Sequence, residues 1–306
     1  MTKEIYRKDL PFTDNQNNGH YEQLISSSEI CDDVLVKYNG TDTHIAIPDF
    51  IKAIGDRAFC QCDTLESIDI PSSVVSIGNY AFFECSSLKS VNIQSSLNYI
   101  GEWAFGRCSS LESVKIPFVT AMGNSVFREC TALTQAEIYG TLNKIDYATF
   151  YECRSLTSVV LPDTVTTICE WTFSKCSSLM TVSLPEQLQR LEAYSFYECE
   201  SLTVIILPPS LTALHDWTFA KCKNLVSVII PHSVRSIGYA AFYECASLIL
   251  FNIPFTVESI GDWACGRCGF LSKILYSGSE SQWESLKKGV NWDTDCGRYK
   301  IEFVEM

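Results

Sequence analysis

Cysteine is the residue type with the greatest chemical potential in this chain, because 15 of its 306 residues are cysteines. Cys265-Gly-Arg-Cys268 is a Cys-x-x-Cys pair, and Cys60-Gln-Cys62 is close to one. Such pairs bind zinc or exchange disulfides, but a structural zinc site needs four ligands, commonly from two pairs at suitable spacing. The repeat described below instead assigns Cys265 and Cys268 to core positions. We therefore predict neither a metal site nor a redox centre.

Other groups that could catalyse a reaction are sparse. The only histidines are His20, His44, His215 and His232. No serine or cysteine lies in a recognised nucleophile motif, and no glycine-rich loop could cradle a phosphate. The acidic residues form no column of paired carboxylates. The sequence therefore predicts no catalytic residue, no bound cofactor and no enzyme activity.

Charge and hydropathy argue against two further classes of protein. The chain carries 23 basic and 36 acidic side chains, which gives a formal net charge of −13. A nucleic-acid-binding protein needs a basic surface instead. No apolar run approaches the roughly 18 to 20 residues of a membrane-spanning helix. We expect neither nucleic acid as a partner nor insertion into a membrane.

The cysteines also mark an internal repeat. Ten of them recur at intervals of 23 residues, with one interval of 22. A leucine follows each of the ten by three residues. A phenylalanine precedes each by three residues, except in the last unit, where Cys265 stands instead. The ten are Cys62, Cys85, Cys108, Cys130, Cys153, Cys176, Cys199, Cys222, Cys245 and Cys268.

Each repeat has the pattern of one coil of a solenoid. In the unit that starts at Cys62, Leu65, Ile68 and Ile70 indicate a short strand, which Pro71 ends. A glycine then suits a tight corner, and the Ala-Phe pair after it fits a short helical or 3-10 turn. A unit of 23 residues is too small to bury its own apolar face, so neighbouring units must stack. We predict a β-rich α/β solenoid of about ten 23-residue coils, with a parallel sheet on one face and caps at both ends.

The stacking predicts the state of the ten repeated cysteines, which we call the cysteine ladder. Coils lie about 4.8 Å apart, so the Cβ atoms of equivalent cysteines are farther apart than the roughly 3.8 Å mean of a disulfide. We expect reduced thiols packed as small apolar residues. Cys31 and Cys296 lie outside the array, and we expect these to be the exposed thiols.

The register I-P…V-x-x-I-G-x-x-A-F-x-x-C-x-x-L resembles the BspA-type leucine-rich-repeat family, known from bacterial surface proteins. The resemblance covers roughly residues 41–277, and residues 34–41 and 276–283 are similar to the opening hairpin and closing segment of such arrays. It implies a leucine-rich-repeat superhelix that serves as an adhesion or protein-binding scaffold. It also implies a cell-surface or secreted location, although the first residues lack the apolar stretch of a signal peptide and permit the cytoplasm if Met1 is the true start.

The domain organisation follows from the extent of the repeat. We predict an N-terminal cap over residues 1–43, the solenoid over 44–277 and a C-terminal cap over 278–306. In the C-terminal cap, Ser281 and Glu284 have the spacing of a capping box for a short helix. Residues 300–305 alternate like a last strand.

Two sets of variable positions distinguish one coil from the next. The residue before each ladder cysteine alternates in charge over most of the array, and the basic coils carry tryptophan where the acidic coils carry phenylalanine or tyrosine nearby. Interlocking of bulky and small residues between coils, with opposite charges facing, is one interpretation. A glycan-binding aromatic stripe is the other. The stripe would consist of Trp103, Trp171, Trp217 and Trp263.

The outward face of the sheet changes from polar to apolar along the chain. In the second half it predicts a contiguous apolar patch, which marks an interface, although strands also favour branched residues for their own sake. The patch consists of Val204, Ile206, Ile229 and Leu250, with Val226 and Ile249 at its margin. We predict a non-enzymatic scaffold that binds a protein partner, such as a host or cell-surface protein, or associates with itself. A glycan-binding module and a structural spacer without a specific ligand are the alternatives.

Overall fold

The computed structural model describes residues 18–304 and divides the chain into two compact units, Met1–Leu142 and Asn143–Met306. In both units the coils contribute strands to a front parallel sheet just after their ladder cysteines, except for the coil that contains residues 181–184. A shorter strand, just before the corner, joins a back parallel sheet. The predicted solenoid of roughly 23-residue coils with little helix is confirmed in each unit.

Unit 1 begins with helix α1 (Asn18–Ser26). Its strands are β1 (Ser28–Cys31), β2 (Val34–Tyr38), β3 (His44–Ala46), β4 (Ala53–Ile54), β5 (Ser67–Ile70), β6 (Ser76–Ile77), β7 (Ser90–Ile93), β8 (Ser96–Leu97), β9 (Tyr99–Ile100), β10 (Ser113–Val119) and β11 (Gln135–Gly140). The front sheet contains β3, β5, β7, β10 and β11, and β8 pairs with β10. The back sheet contains β2, β4, β6 and β9, with β1 antiparallel at its edge.

Unit 2 contains thirteen strands and helix α2 (Glu280–Ser285). The strands are β12 (Lys144–Ile145), β13 (Ser158–Val160), β14 (Thr167–Ile168), β15 (Arg190–Leu191), β16 (Val204–Ile206), β17 (Ala213–Leu214), β18 (Ser227–Ile229), β19 (Ser236–Ile237), β20 (Leu250–Pro254), β21 (Ser259–Ile260), β22 (Lys273–Ser277), β23 (Lys287–Lys288) and β24 (Lys300–Phe303). The back sheet runs without a break from β12 to β23 through β14, β15, β17, β19 and β21. The front sheet joins β16, β18, β20, β22 and β24.

The core consists of a few columns of equivalent apolar residues. Ile68 and Ile70 are buried while Ser67 and Asp69, between them on β5, face outward, as the two-residue period of a strand requires. The phenylalanine column stacks ring on ring. The rings of Phe59 and Phe82 lie 5.0 Å apart with planes 6° apart. Each fully buried side chain of this kind contributes about 1.5–3 kcal/mol, which is why coils must stack to be stable.

The corner of each coil is a series of tight turns instead of a helix. The N–H of Cys62 donates to Phe59 O at 3.1 Å, and the N–H of Leu65 donates to Cys62 O at 3.2 Å. Between them Gln61 has a left-handed backbone, with φ 61°. Such a conformation is costly for a residue other than glycine. It recurs in every coil because the N–H of Gln61 and its equivalents donates to the next coil, here to Phe83 O at 2.8 Å.

The ladder thiols donate hydrogen bonds to the backbone of the preceding coil. The Sγ of Cys85 donates to Phe59 O at 2.9 Å, and the Sγ of Cys222 donates to Phe196 O at 3.2 Å. Burial raises the pKa of the Cys222 thiol well above its ordinary value. A thiol that stays protonated remains a donor, so the column bridges coils without any disulfide. The other bridging thiols are those of Cys108, Cys130, Cys176, Cys199, Cys245 and Cys268.

The C-terminal end continues the same pattern past the tenth cysteine. The Sγ of Cys296 donates to Cys265 O at 2.8 Å, so Cys296 is a half-buried ladder member. The prediction that it lies outside the array was wrong. The helix α2 begins at Ser279, whose hydroxyl accepts from the N–H of Gln282 while the Gln282 side chain accepts from the N–H of Ser279. The capping box is therefore formed by Ser279 and Gln282, each two residues earlier than the predicted Ser281 and Glu284.

The N-terminal end of the described chain closes the core with an aromatic ring. Tyr38, at the end of β2, packs its ring against Phe59 at 5.3 Å and occupies the place of a phenylalanine column residue. Its hydroxyl donates to Asp42 at 2.6 Å. Helix α1 buries Leu24 and packs against β1 and β3. Residues 1–17 of the predicted cap lie outside the described residues.

Candidate binding surfaces

The apolar patch predicted from the sequence lies on the front sheet of unit 2. Ile206 is 80% exposed, Ile229 is 68% exposed and Val204 is 50% exposed. Val226 and Ile249 are also exposed, whereas Leu250 is half-buried. Outward-facing strand positions of a parallel sheet project freely from its surface, so nothing in the coil covers these side chains.

Strand register brings the patch residues together. Ile206 pairs with Ile229 across β16 and β18, and Val204 pairs with Ser227. Ser227 in turn pairs with Leu250 on β20. A shallow depression of about 260 Å³ lies beside these strands, lined by Ile206, Ile229 and neighbouring apolar residues that include two prolines. Ile206 and Ile229 are thus direct neighbours, whereas Ser227 lies between Val204 and Leu250. We call the predicted set of Val204, Ile206, Val226, Ile229, Ile249 and Leu250 the apolar surface.

The front sheet of unit 1 is polar at the equivalent positions. The amide of Asn92 donates to the Asp69 carboxylate at 2.9 Å, and Lys115 pairs with Glu137 at 3.0 Å. These polar side chains therefore have hydrogen-bond or ion-pair partners on the neighbouring coils. At these outward strand positions the described residues of unit 1 are therefore polar, whereas those of β16 and β18 in unit 2 are largely apolar.

The alternating charges form ion pairs between coils. Lys221 Nζ lies 2.8 Å from Glu198 and 5.0 Å from the centre of the Tyr197 ring. Arg267 lies 2.9 Å from Glu244 and stands 5.6 Å over Tyr243 in the same way. Each basic residue thus contacts both the acid and the aromatic ring of the preceding coil. Exposed pairs of this kind contribute roughly 0–1 kcal/mol each, but together they penalise any other register.

The tryptophans fill the space above small residues of their own coil. A Cβ on Gly266 would lie 2.9 Å from Trp263 Cε3 and 3.1 Å from Tyr243 Cδ2. The Trp171 ring is stacked on Tyr194 at 4.2 Å with planes 5° apart, and Trp217 lies 5.9 Å from Tyr194 with planes 7° apart. All four tryptophans are half-buried. Since a sugar ring binds to an open aromatic face, this geometry favours packing over glycan binding.

One histidine forms a constellation that the sequence did not indicate. His44 Nδ1 lies 2.7 Å from Ser67 Oγ, and His44 Nε2 lies 3.4 Å from an Asp69 oxygen. These residue types could activate a serine nucleophile. However, the His44 and Asp69 side chains are largely exposed on the open sheet, and the N–H of Ser67, the nearest donor for an oxyanion, already donates to Thr43 O. The register of β3 and β5 was the only signal that could have brought the three together.

The described residues also bear on metal binding and on membrane-spanning helices. Within residues 18–304, no group of three or more histidine, cysteine, aspartate or glutamate residues could hold a metal ion. Cys265 and Cys268 are both buried, at the core positions that the repeat assigns to them. In the same residues no helix is long and apolar enough to cross a membrane.

Both units are leucine-rich-repeat solenoids, a class of scaffold in which each coil buries the apolar columns of its neighbours. Scaffolds of this class are typically non-enzymatic and generally mediate protein interactions. The family model of the BspA type Leucine rich repeat region matches residues 37–157 and 143–272, and the chain belongs to this family. The resemblance carried by the repeat motif is therefore confirmed.

The solved structures with a similar chain include three bacterial proteins. A leucine rich cell surface protein from Faecalibacterium prausnitzii is 27% identical, with 83% of this chain and 93% of that chain covered and a TM-score of 0.46. A leucine-rich repeat protein from Bacteroides ovatus is 22% identical, with 96% and 97% covered and a TM-score of 0.46. The pneumococcal vaccine antigen PcpA is 19% identical, with 84% and 79% covered and a TM-score of 0.49. No curated protein sequence matches the chain.

Proposed function

We propose that this protein is a binding scaffold that recognises a protein partner through the apolar surface of unit 2. The observation that carries the proposal is the exposure of Ile206 and Ile229, which are neighbours in register and are 80% and 68% accessible. Covering exposed aliphatic side chains such as these stabilises a complex by about 25 cal/mol for each Å² of apolar surface that the partner buries. Contiguous exposed apolar areas of this kind usually mark an interface.

The rigidity of the surface also supports the proposal. Val204, Ile206, Ile229 and Leu250 stand on hydrogen-bonded strands, and Val226 and Ile249, which directly precede β18 and β20, donate their N–H groups to the preceding coil at 3.1 and 2.9 Å. A surface held in this way loses little conformational entropy when a partner binds, which favours affinity. The ordinary roles of the family make a surface protein of a host or another cell the first partner to seek.

Capture by charge-substituted variants tests the proposal. Ile206→Lys and Ile229→Lys put a cation at the centre of the surface without touching the core, and Asn92→Lys makes a similar change at the equivalent front position of unit 1. We expect wild type and Asn92→Lys to capture a protein from surface extracts that both isoleucine variants fail to capture. Light scattering of the free protein identifies self-association, which the isoleucine variants should also abolish. Capture that survives both substitutions contradicts the proposal.

A glycan-binding role remains the alternative to test alongside. It would use Trp171 and Trp217, and glycan binding by wild type that is lost in Trp171→Ala and Trp217→Ala would favour it. The stacking of these rings on Tyr194 covers one face of each, which supports a packing role for the two tryptophans over glycan binding. A spacer without a specific ligand would give no binding in either experiment.

A further inference from the structure

One coil of unit 2 lacks its front strand. Residues 181–184 stand where the neighbouring coils have β13 and β16, yet they form no strand. No backbone hydrogen bond within residues 18–304 reaches the N–H or C=O groups of this segment. Unpaired backbone groups along a strand edge are a template for pairing with another extended chain. The front sheet is therefore interrupted, with one open edge on each side of the segment.

The interruption is confined to the front of the coil. On the back sheet Ile168 pairs with Leu191, and at the corner the N–H of Lys175 donates to Tyr197 O at 2.7 Å. The core rings of Phe173 and Phe196 remain stacked at 5.1 Å. The coils are thus joined at the back and at the corner, while residues 181–184 have no strand partner among the described residues.

A cleft of about 510 Å³ lies at the interruption, lined on one side by Val160 and Leu161 and on the other by Ser183 and Leu184. It borders the core, because Leu161 and the neighbouring lining residue Val159 are core residues that are only 7% and 6% exposed. A residue in a packed strand occupies about 160 Å³, from a rise of about 3.3 Å, a strand spacing of about 4.8 Å and a sheet thickness of about 10 Å. The cleft therefore holds about three extended residues.

Two acidic side chains line one end of the cleft. Asp163 and Glu186 follow the C-terminal ends of the front segments in their coils, and both are exposed. Neither forms an ion pair with any residue in the described part of the chain. A strand that entered the cleft parallel to its neighbours would bring its own C-terminal end to these carboxylates. Lysine or arginine at that end would complement their charge.

We propose that this cleft is an acceptor site for an extended segment of a partner protein. The segment adds one parallel strand of about three residues, with side chains that alternate in direction, and continues into one or two basic residues beside Asp163 and Glu186. Main-chain hydrogen bonds to residues 181–184 contribute affinity, and the two carboxylates contribute specificity. The site is separate from the apolar surface, since it uses backbone groups and acidic side chains instead of Ile206 and Ile229.

Peptide binding measured by fluorescence anisotropy tests the charge preference. The probe is fluorescein-labelled Thr-Val-Thr-Val-Lys-Lys, and its matched control ends in Glu-Glu. We expect the basic peptide to bind about tenfold more tightly than the acidic one, and the double variant Asp163→Lys with Glu186→Lys to reverse the preference. Glu258→Lys, a charge change at another exposed acid, should leave it unaltered. Equal binding of the two peptides, or no effect of the double variant, overturns the proposal.

Amide hydrogen exchange tests the location. Residues 181–184 should exchange quickly in the free protein and become protected when the basic peptide binds, because their N–H groups gain partners. Protection in the free protein equal to that of β18, or no change with saturating peptide, also overturns the proposal. Ile229→Lys should leave peptide affinity unchanged, so failure of this site and failure of the apolar surface are distinguishable.

Discussion

The thiol of Cys296 donates a hydrogen bond to the backbone oxygen of Cys265 at 2.8 Å. Cys265 stands in the phenylalanine column, so this is the same bond that Cys268 makes to Phe242 one coil earlier, at 3.2 Å. The N–H groups of Cys265 and Arg267 also donate to the C-terminal segment, to Trp292 O and Thr294 O at 2.7 Å each. The segment that ends the solenoid is therefore built as a further coil.

This bond predicts that Cys296 stabilises the end of the array. Cys296→Ala removes the donor and leaves a small void, and we expect the free energy of unfolding to fall by about 1–2 kcal/mol. Cys31→Ala is the matched control, because its half-buried thiol donates a weak hydrogen bond to the adjacent Asp32, at 3.8 Å, instead of bridging two coils. Urea unfolding followed by the fluorescence of Trp283 and Trp292 measures both. Equal midpoints for the two variants would contradict the role of Cys296.

The contact of Trp263 with Gly266 predicts how much volume the column of small residues tolerates. Ala220 occupies the equivalent position beside Trp217, so a methyl group fits, but a larger side chain on Gly266 would collide with Trp263 and Tyr243. We expect Gly266→Leu to lower the free energy of unfolding by about 1–3 kcal/mol. Gly269→Leu is the control, since a Cβ there meets no atom within 4 Å. Similar denaturation midpoints for the two leucine variants would show that the ring is free to move aside.

How much could be predicted from the sequence depends on whether a feature recurs. The columns of Ile68, Phe82 and Cys85 could be predicted because each repeats at a fixed interval and has one environment. Cys296 was missed because helix α2 lengthens its coil, so that 31 residues separate it from its acceptor, where 26 separate the other ladder pairs and 25 separate Cys130 from Phe105. The ordinary signal of spacing was therefore absent.

The candidate sites also differ in whether the sequence could predict them. The exposure of Ile206 and Ile229 followed from strand alternation alone. The interruption at residues 181–184 could not be predicted, because Thr-Val-Ser-Leu alternates as well as the Val-Ile-Ile-Leu of residues 204–207. Whether a segment pairs depends on the separation of whole coils, which no single position in the sequence encodes. The contacts of His44 with Ser67 and Asp69 likewise depend on strand register.

The ion pairs of Glu152 predict a pH dependence of stability. Burial raises the pKa of its carboxyl, but hydrogen bonds from Lys175 and Arg154 outweigh burial and lower this pKa to about 2. The ordinary value near 4.3 applies in the unfolded chain, so the folded state binds fewer protons. The stabilisation is complete above about pH 4.5 and is lost as the pH falls toward about 2.

Melting temperatures of wild type and Glu152→Gln, from about pH 6 to about pH 2.5, check this expectation. The variant should be less stable at the upper end, and the difference should close as the pH falls, because protonation of Glu152 removes the same ion pairs. Glu258→Gln serves as the control at an exposed acid. A difference between wild type and Glu152→Gln that stays constant over this range would contradict the assigned pKa.

Thiol reactivity should follow position along the cysteine ladder. Cys62 and Cys296, at its two ends, are half-buried, and hydrogen bonds with Cys85 and Cys268 lower their pKa values. Burial raises the pKa of interior thiols such as Cys222. Since the thiolate is the reactive species, a short pulse of iodoacetamide near neutral pH should alkylate Cys62 and Cys296 well before Cys222, as read by peptide mass spectrometry. In urea, where burial is lost, the rates should converge. Interior labelling of the native protein as fast as that of Cys62 would mean that the coils open locally, and the ladder could not then be the closed, protonated column that its hydrogen bonds require.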